Sequence, residues 1–450
     1  MEIVFSEVYQ PLFDLLEARN IVTDKSFSVL YNDEEQKYWL ELSKVDTVLM
    51  SGGRDSGKSF ALSCFNPVAS KDYNHRILYT RQTMSSTDNS ITQSLDNRIE
   101  MLGYHKDFEV ANKSYICKEG NGKIVITGQK TSSGTQTAKL KSLEDFSIFE
   151  TDEGEELASY DEWLKVKRSM RAKDVQCLSI IVFNPPTNAH WLYEQFYTDI
   201  PNGFNGVVGK TLYIHSTYLD NGKENMAEHN WEEYEELRLN YELYLNTPEK
   251  KRDSLPPLIV KDYKEYKYKI LGGFKEVAEG VVFENWSVGD FNPDNLQTSF
   301  GQDFGFSKDP TTLTEIAIDK KKKIIYLHEC VYKPKLTTSE IFELNKEYSK
   351  GKLIIADSAE PRLITELRNK GNNIKEAVKG QGSISAGIAL MLDYHIVISH
   401  SSSNIIKEFN NYVYADKTSK LFVDDFNHAI DGARYNITFQ LTRGKAPTIR

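Results

Sequence analysis

The stretch SGGRDSGKSF (51–60) contains GxxxxGKS, with Gly52, Gly57, Lys58 and Ser59 at its fixed positions. These residue types at this spacing suit a polyphosphate: glycines let backbone N–H groups approach phosphate oxygens, a lysine reaches the β and γ phosphates, and a serine hydroxyl binds Mg²⁺. A glycine turn opening an ordinary helix is the plainer alternative. Such a site also needs an acidic residue ending an apolar strand, to hold the ion, and a carboxylate after it to activate water. FSIFETDEGEEL (146–157) offers Asp152 and Glu153 for those roles. Because Glu150 and Thr151 interrupt its apolar run, a plain acidic loop stays open there, and Glu150 is an alternative for either role. SIIVFNPP (179–186) ends on Asn184 before two prolines, a pattern that fits a capping Asn better than a γ-phosphate sensor.

A second group of candidates lies in the last third of the chain. Asp303 falls in the middle of an expected strand between Gly301 and Gly305, and Asp357 ends another. A carboxylate inside a strand is costly unless paired or bound to metal. In DDFNHAIDGARY, Asp424, His428 and Asp431 stand at i, i+4 and i+7 and would share one face of a helix. Separately each acid reads as a cap or surface charge. Together they form an oxygen-rich set with one imidazole, suited to two Mg²⁺ or Mn²⁺ ions that activate water in phosphodiester cleavage. Three such carboxylates should repel one another without metal, leaving the ion-free site strained.

The elements that must position these residues are legible in outline. VDTVLM (45–50) reads as a buried strand entering the glycine loop, and a helix follows from Ser59. RILYT, KIVITG, FSIF and LSIIVF give further β-runs separated by polar or helical stretches, which predicts a mostly parallel sheet. Residues 228–270, rich in Glu, Lys and Tyr, read as a helical connector. The division expected is an ATPase domain over 1–227, the connector over 228–290 and a nuclease domain over 291–450. In the last, strands at 300–306, 312–318 and 323–332 suggest an antiparallel meander, followed by helix, strand, helix, strand, helix and a final helix from about 425. That βββαβαβα order is the ribonuclease H topology, so the fold class expected is α/β: a P-loop ATPase followed by an RNase H-like domain.

Composition bounds the rest. A chain of 450 residues exceeds one compact core. No apolar run approaches the ~20 residues that span a bilayer, and the N-terminus carries no secretory signal, so a cytoplasmic location is expected. The four cysteines show no CxxC spacing, which argues against a zinc knuckle. Net charge is −10, divided as −7 over residues 1–215, −6 over 216–290 and +3 over 291–450. The last third therefore permits a nucleic-acid partner without demanding one.

With these motifs in view, the chain resembles the large terminase subunit of tailed bacteriophages from about residue 40 to 440. GGRDSGKS is similar to that family's arginine-containing P-loop, ILYTRQTMSSTDNSI to the segment after its next strand, and DEGEEL to its Walker B element. VFNPPTNAHWLYEQF and IHSTYLDN resemble the stretch with its coupling motif, and GGFKEVAEGVVFENW the approach to its nuclease. GQDFGFSKDPT, IIADSAEP and DDFNHAIDGARY resemble its three nuclease motifs in order. The resemblance implies a role for Arg54 at the γ-phosphate, for Asn184 in coupling, and for Asp303, Asp357, Asp431 and His428 as metal ligands. It also implies ATP and Mg²⁺ or Mn²⁺ as cofactors, and double-stranded DNA, a small terminase subunit and the portal or procapsid as partners, with a ring-like homo-oligomer as the working form in the host cytoplasm. A recombination or repair nuclease without a capsid partner, and a nucleotide-switched binding protein with a dead nuclease fold, are the rival readings.

Overall fold

Ten strands form the first sheet: β1 (Thr47–Gly52), β2 (Arg76–Thr83), β3 (Phe108–Ala111), β4 (Ser114–Cys117), β5 (Lys123–Thr131), β6 (Gly134–Thr135), β7 (Ile148–Asp152), β8 (Leu178–Phe183), β9 (Gly206–Val208) and β10 (Thr211–Ser216). They belong to a computed structural model that describes residues 6–442 except 84–90, 112–113, 132–133, 136–144, 158, 174, 253, 279, 292, 294–295, 308, 381, 415–421 and 424. Strand order is β3-β4-β5-β2-β7-β8-β1-β10-β9, with β6 on β5. Every pairing from β5 to β10 is parallel. β1 and β8 are buried throughout, as apolar runs are when both faces of a parallel strand are covered. Val48, Met50, Ile180 and Val182 pack with Phe65 on one face, while Leu49, Ile181 and Phe183 pack with Trp163 on the other.

β7 departs from the expectation. Glu150 and Thr151 do not end the strand, which runs through them to Asp152 and is buried at every position. The Glu150 carboxyl is tolerated because Asn66, on the helix Lys58–Tyr73, donates to its Oε2 at 2.8 Å. Burial, ahead of that hydrogen bond, pushes the carboxyl well above its ordinary range.

The chain divides into two units, Met1–Lys275 and Glu276–Arg450. The helices Glu228–Asn246 and Pro257–Glu265 pack against each other within the first unit, with Tyr234, Tyr266 and Ile270 in a shared apolar cluster containing Tyr218. The stretch expected as a connector, 228–290, is thus divided: residues up to Lys275 belong to the first unit, where the tyrosines of its helices have an apolar partner, and residues from Glu276 belong to the second.

The second unit is built on β11 (Trp286–Gly289), β12 (Thr298–Asp303), β13 (Thr311–Asp319), β14 (Ile324–Lys333), β15 (Ile354–Ala356), β16 (Ile374–Glu376) and β17 (His395–Ser399), in the order β11-β17-β14-β13-β12-β15-β16. β12, β13 and β14 form the antiparallel meander, and β15 and β17 join it in parallel on either side. β16 and the helix Ser383–Leu392 add to the expected order. The closing helix, His428–Thr442, lies on β12 and β13. A Cβ at Gly301 would stand 2.0 Å from the Gly432 carbonyl oxygen, so glycine at both positions lets helix and strand backbones meet.

Two expectations are corrected here. Asp303 is the last residue of β12 and not a mid-strand residue. The closing helix begins at His428, after Phe426 in a left-handed conformation (φ 56°), so residues 425–427 interrupt the face expected to run from Asp424; Asp424 itself lies outside the described residues.

Candidate functional site

In the first unit the parallel strands deliver their C-terminal ends to one edge, the position where open α/β sheets bind ligands. β1 leads into the glycine loop, and Gly57 takes a φ of 85°, a left-handed conformation that glycine adopts at no steric cost, immediately before the helix Lys58–Tyr73. β7 ends on Asp152 and β8 is followed by Asn184. These residues line a cavity of about 540 Å³ together with Arg54, Ser59, Arg81, Glu153 and Glu155. Gly52, by contrast, stays in β1, paired with Ser216 of β10.

Lys58 is buried, and its ammonium bonds only neutral oxygens: the Gly52 and Gly53 carbonyls at 2.9 and 2.8 Å, Ser56 Oγ at 3.0 Å and Asn184 Oδ1 at 3.4 Å. Burial brings its pKa down to about 8, against the opposing pull of Glu155, Asp152 and Asp55. A desolvated cation lodged in a glycine loop at a helix N-terminus fits a phosphate by donor chemistry. Ser59 and Arg54 are exposed at the loop rim.

The acidic side of the cavity is organised by β2. Asp152 Oδ2 accepts from Tyr79 Oη at 2.8 Å and from Arg81 Nη2 and Nε at 2.6 and 2.9 Å, and Arg81 Nη1 also reaches Glu153 Oε1 at 3.3 Å. Glu153 sits in a left-handed backbone conformation (φ 56°, ψ 49°). For a residue with a side chain this is a strained state that concentrates at functional sites. Asn184 does more than cap a turn: its Nδ2 donates to Glu155 Oε1 at 3.0 Å while its Oδ1 accepts from Lys58. The loop is braced from behind by the packed helices, since Asp55 accepts from Asn230 and Tyr234 at 3.0 and 2.8 Å and the Arg54 amide donates to the Lys269 carbonyl at 2.9 Å.

In the second unit Gln302 pairs with Ala356 across β12 and β15, so Asp303 and Asp357, one residue further along each, emerge side by side. The closing helix brings His428 Nδ1 to 3.4 Å from Asp303 Oδ2 and places Asp431 one turn on. The carboxyl of Asp431 is pushed up chiefly by burial, with Asp303 adding to the effect and Arg434 and Lys379 opposing it. All three carboxylates act on the Tyr435 hydroxyl, so they lie on the same side of the sheet around that residue. The donor types fit a hard divalent ion. Among the described residues, however, no three His, Cys, Asp or Glu side chains are gathered closely enough to hold one.

The expectation of a strained, mutually repelling cluster is corrected by what holds these acids apart. Asp303 faces His428, Asp357 is paired with Lys379, and Asp431 Oδ1 accepts from Arg434 Nη2 and Nε at 3.0 and 3.1 Å. Asp357 and Asp431 each have a cation and Asp303 has an imidazole partner, so the repulsion among the acids is partly offset within the fold. The helix that brings His428 and Asp431 is itself anchored by Glu408, whose buried carboxylate accepts from the Ala429 and Ile430 amides at 3.0 and 2.9 Å.

Two family models match this chain in succession: phage terminase large subunit over residues 44–247 and terminase RNase H-like domain over residues 303–438. The chain belongs to the phage terminase large subunit family. It is a DNA-packaging enzyme with an ATPase domain and an RNase H-like nuclease domain. The terminase large subunit of Bacillus phage SPP1 is 26% identical over 432 residues, covering 88% of this chain and 92% of that protein. The PBSX phage terminase large subunit of Bacillus subtilis (strain 168) is 25% identical over 400 residues, covering 83% and 85%. Among solved structures, the SPP1 large terminase nuclease domain with bound Mn is 29% identical, spans 36% of this chain and 99% of that one, and superposes with a TM-score of 0.33.

Several residues around the terminase sites escaped the sequence reading. Arg81 sits near the end of an apolar run in ILYTRQT, the same signal that marks Asp152; residues 84–90 of that segment lie outside the described residues. Glu155 was one acid among four in DEGEE. Lys379 and Arg434 carry no motif of their own, and only the fold places them on the carboxylates. No helix among the described residues is long and apolar enough to cross a membrane.

Proposed function

We propose that this terminase hydrolyses ATP at the β1–β7–β8 edge of its first unit to drive double-stranded DNA into a procapsid, and cuts the DNA at the Asp303–Asp357–Asp431 cluster of its second. The observation that carries the ATPase half is the convergence on one cavity of a buried, phosphate-seeking Lys58, the Asp152–Glu153 pair and Asn184. Lys58 and the loop amides bind the β and γ phosphates, Ser59 and Asp152 hold Mg²⁺, and Glu153 orients the attacking water. Arg54, exposed at the rim, supplies positive charge to the γ-phosphate from the same chain. Asn184 lies between Lys58 and Glu155 and reports the state of the phosphate to the strand edge, which is the coupling role.

In the nuclease half, Asp303, Asp357 and Asp431, with His428, hold Mg²⁺ or Mn²⁺. The ion, when bound, supplies Lewis-acid activation of water and stabilises the leaving oxygen. The partners are DNA, a small terminase subunit and the portal of the procapsid, on which several copies work as a ring in the host cytoplasm. The net positive charge of residues 291–450 suits the DNA. Purified procapsids, ATP and linear DNA test the whole reading: the wild-type chain should render DNA resistant to nuclease added outside, and Lys58→Ala should not. Intact ATPase and nuclease activities with no packaging in any reconstituted mixture would favour a repair nuclease instead.

A further inference from the structure

The three carboxylates of the nuclease cluster have side-chain partners that differ in how firmly they are held. Arg434 is 4% exposed, lies one turn from Asp431 on the same helix and makes two hydrogen bonds to one carboxylate oxygen. His428 is fixed at the start of that helix by its backbone. Lys379 is different. It comes from the non-helical stretch after β16, its side chain is 38% exposed, and a single contact joins its ammonium to Asp357 Oδ1. The Tyr435 ring, with its centroid 4.9 Å from the ammonium, is a further partner for that charge beside Asp357. Its charge also reaches Asp431.

We propose that Lys379 is the exchangeable counter-ion of the nuclease site: it holds Asp357 while the site is metal-free, gives the carboxylate up when a divalent ion is bound, and then pairs with a phosphate of the DNA. This rests on the reading of the cluster as a metal site. The physical reason is competition for one acceptor. A carboxylate paired with an ammonium must lose that partner to become a ligand, so Lys379 lowers the affinity for metal, while a strongly hydrated point charge on a four-carbon stem is suited to a phosphate. The arrangement keeps Asp357 neutralised before DNA and metal are both present.

The test is Mn²⁺ binding by the full-length chain, followed by titration calorimetry without nucleotide, with the component lost in Asp303→Asn taken as the nuclease site. Lys379→Met, which keeps the stem and removes the charge, should bind Mn²⁺ about tenfold more tightly than wild type, the factor expected of a competing ion pair worth roughly one pKa unit. Lys370→Met, on an exposed helix position, should bind as wild type does. In saturating Ca²⁺, the slope of log affinity for duplex DNA against log salt should fall by about 0.9 in Lys379→Met, the loss of one phosphate contact. Equal or weaker Mn²⁺ binding by Lys379→Met would overturn the counter-ion role, and an unchanged salt slope would overturn the phosphate contact. Wild type without any component sensitive to Asp303→Asn would overturn the metal site itself, and the proposal with it.

Discussion

At the residue scale, the proposed ATP site makes Lys58 the group whose protonation should govern nucleotide binding. Its ammonium is desolvated by burial in the loop, with a pKa brought down to about 8. Phosphates restore a favourable environment for the charge, so above pH 8 binding must take up a proton. Affinity for a fluorescent ATP analogue should therefore be nearly flat from pH 6.5 to 7.5 as far as this group is concerned, then fall towards tenfold per pH unit above about 8. Lys58→Arg, permanently charged, should lack that fall even if it binds more weakly. The acids separate in the same way. Glu153, strained and facing the cavity, should lose about 10²-fold or more in turnover as Glu153→Gln while still binding ATP. Glu150 is buried within β7, bonded to Asn66 and not among the residues lining the cavity, so Glu150→Gln should keep turnover within about threefold. Steady-state ATPase rates on both variants check the assignment, and the reverse ranking would move the catalytic carboxylate into β7.

At the element scale, the closing helix of the nuclease unit depends on Glu408. Its carboxyl is pushed up to about 7 by burial, against the hydrogen bonds from the Ala429 and Ile430 amides and Tyr332. A carboxyl with a raised folded pKa contributes most to stability below its unfolded value, near 4.5, and that contribution is lost as pH rises through about 7. The corresponding change is on the order of 3 kcal/mol. Glu408→Gln should therefore lose less stability than wild type between pH 4.5 and 7, as read by thermal melting. Glu408→Ala should be destabilised by about 1–3 kcal/mol at every pH in that range, because two buried amides lose their acceptor. The same variant should cut DNA more slowly, since His428 and Asp431 ride on the turn those amides begin. In the first unit the comparable brace is the helix Glu228–Asn246, which reaches the phosphate loop through Asn230, Tyr234 and Asp55.

At the scale of the whole molecule, two units with separate sheets and separate apolar cores carry the two chemistries. Among the described residues, those lining the cavity beside Lys58 all belong to the first unit. In the full-length protein, Lys58→Ala should abolish ATP hydrolysis and leave Mn²⁺-dependent plasmid nicking within about threefold. Asp303→Asn should do the opposite. Parallel ATPase and nicking assays on both variants decide this, and loss of both activities in either one would mean that the two sites are obligately coupled.

The sequence by itself determined most of the elements, the fold class and the family-level chemistry. GxxxxGKS after an apolar run, and three carboxylate motifs in ribonuclease H order, are local patterns, and local patterns survive being read one segment at a time. The strands that end on Asp152 and Asp303, and those that run up to Asn184, to Asp357 and to the glycine loop before Lys58, all contain apolar runs legible in the sequence. Polar residues inside elements were less legible. Glu150 looked like a strand breaker, because its partner Asn66 lies 84 residues away. Residues 228–270 looked like a connector, because the apolar surface that receives their tyrosines includes Tyr218, from the end of the preceding region. Only the tertiary structure decided which charge meets which: Arg81 on Asp152, Lys379 on Asp357, Arg434 on Asp431 and Glu408 on the closing helix. The physical reason is that hydrophobic periodicity is written along the chain, whereas the cost of burying a charge depends on a partner that arrives from elsewhere in the fold.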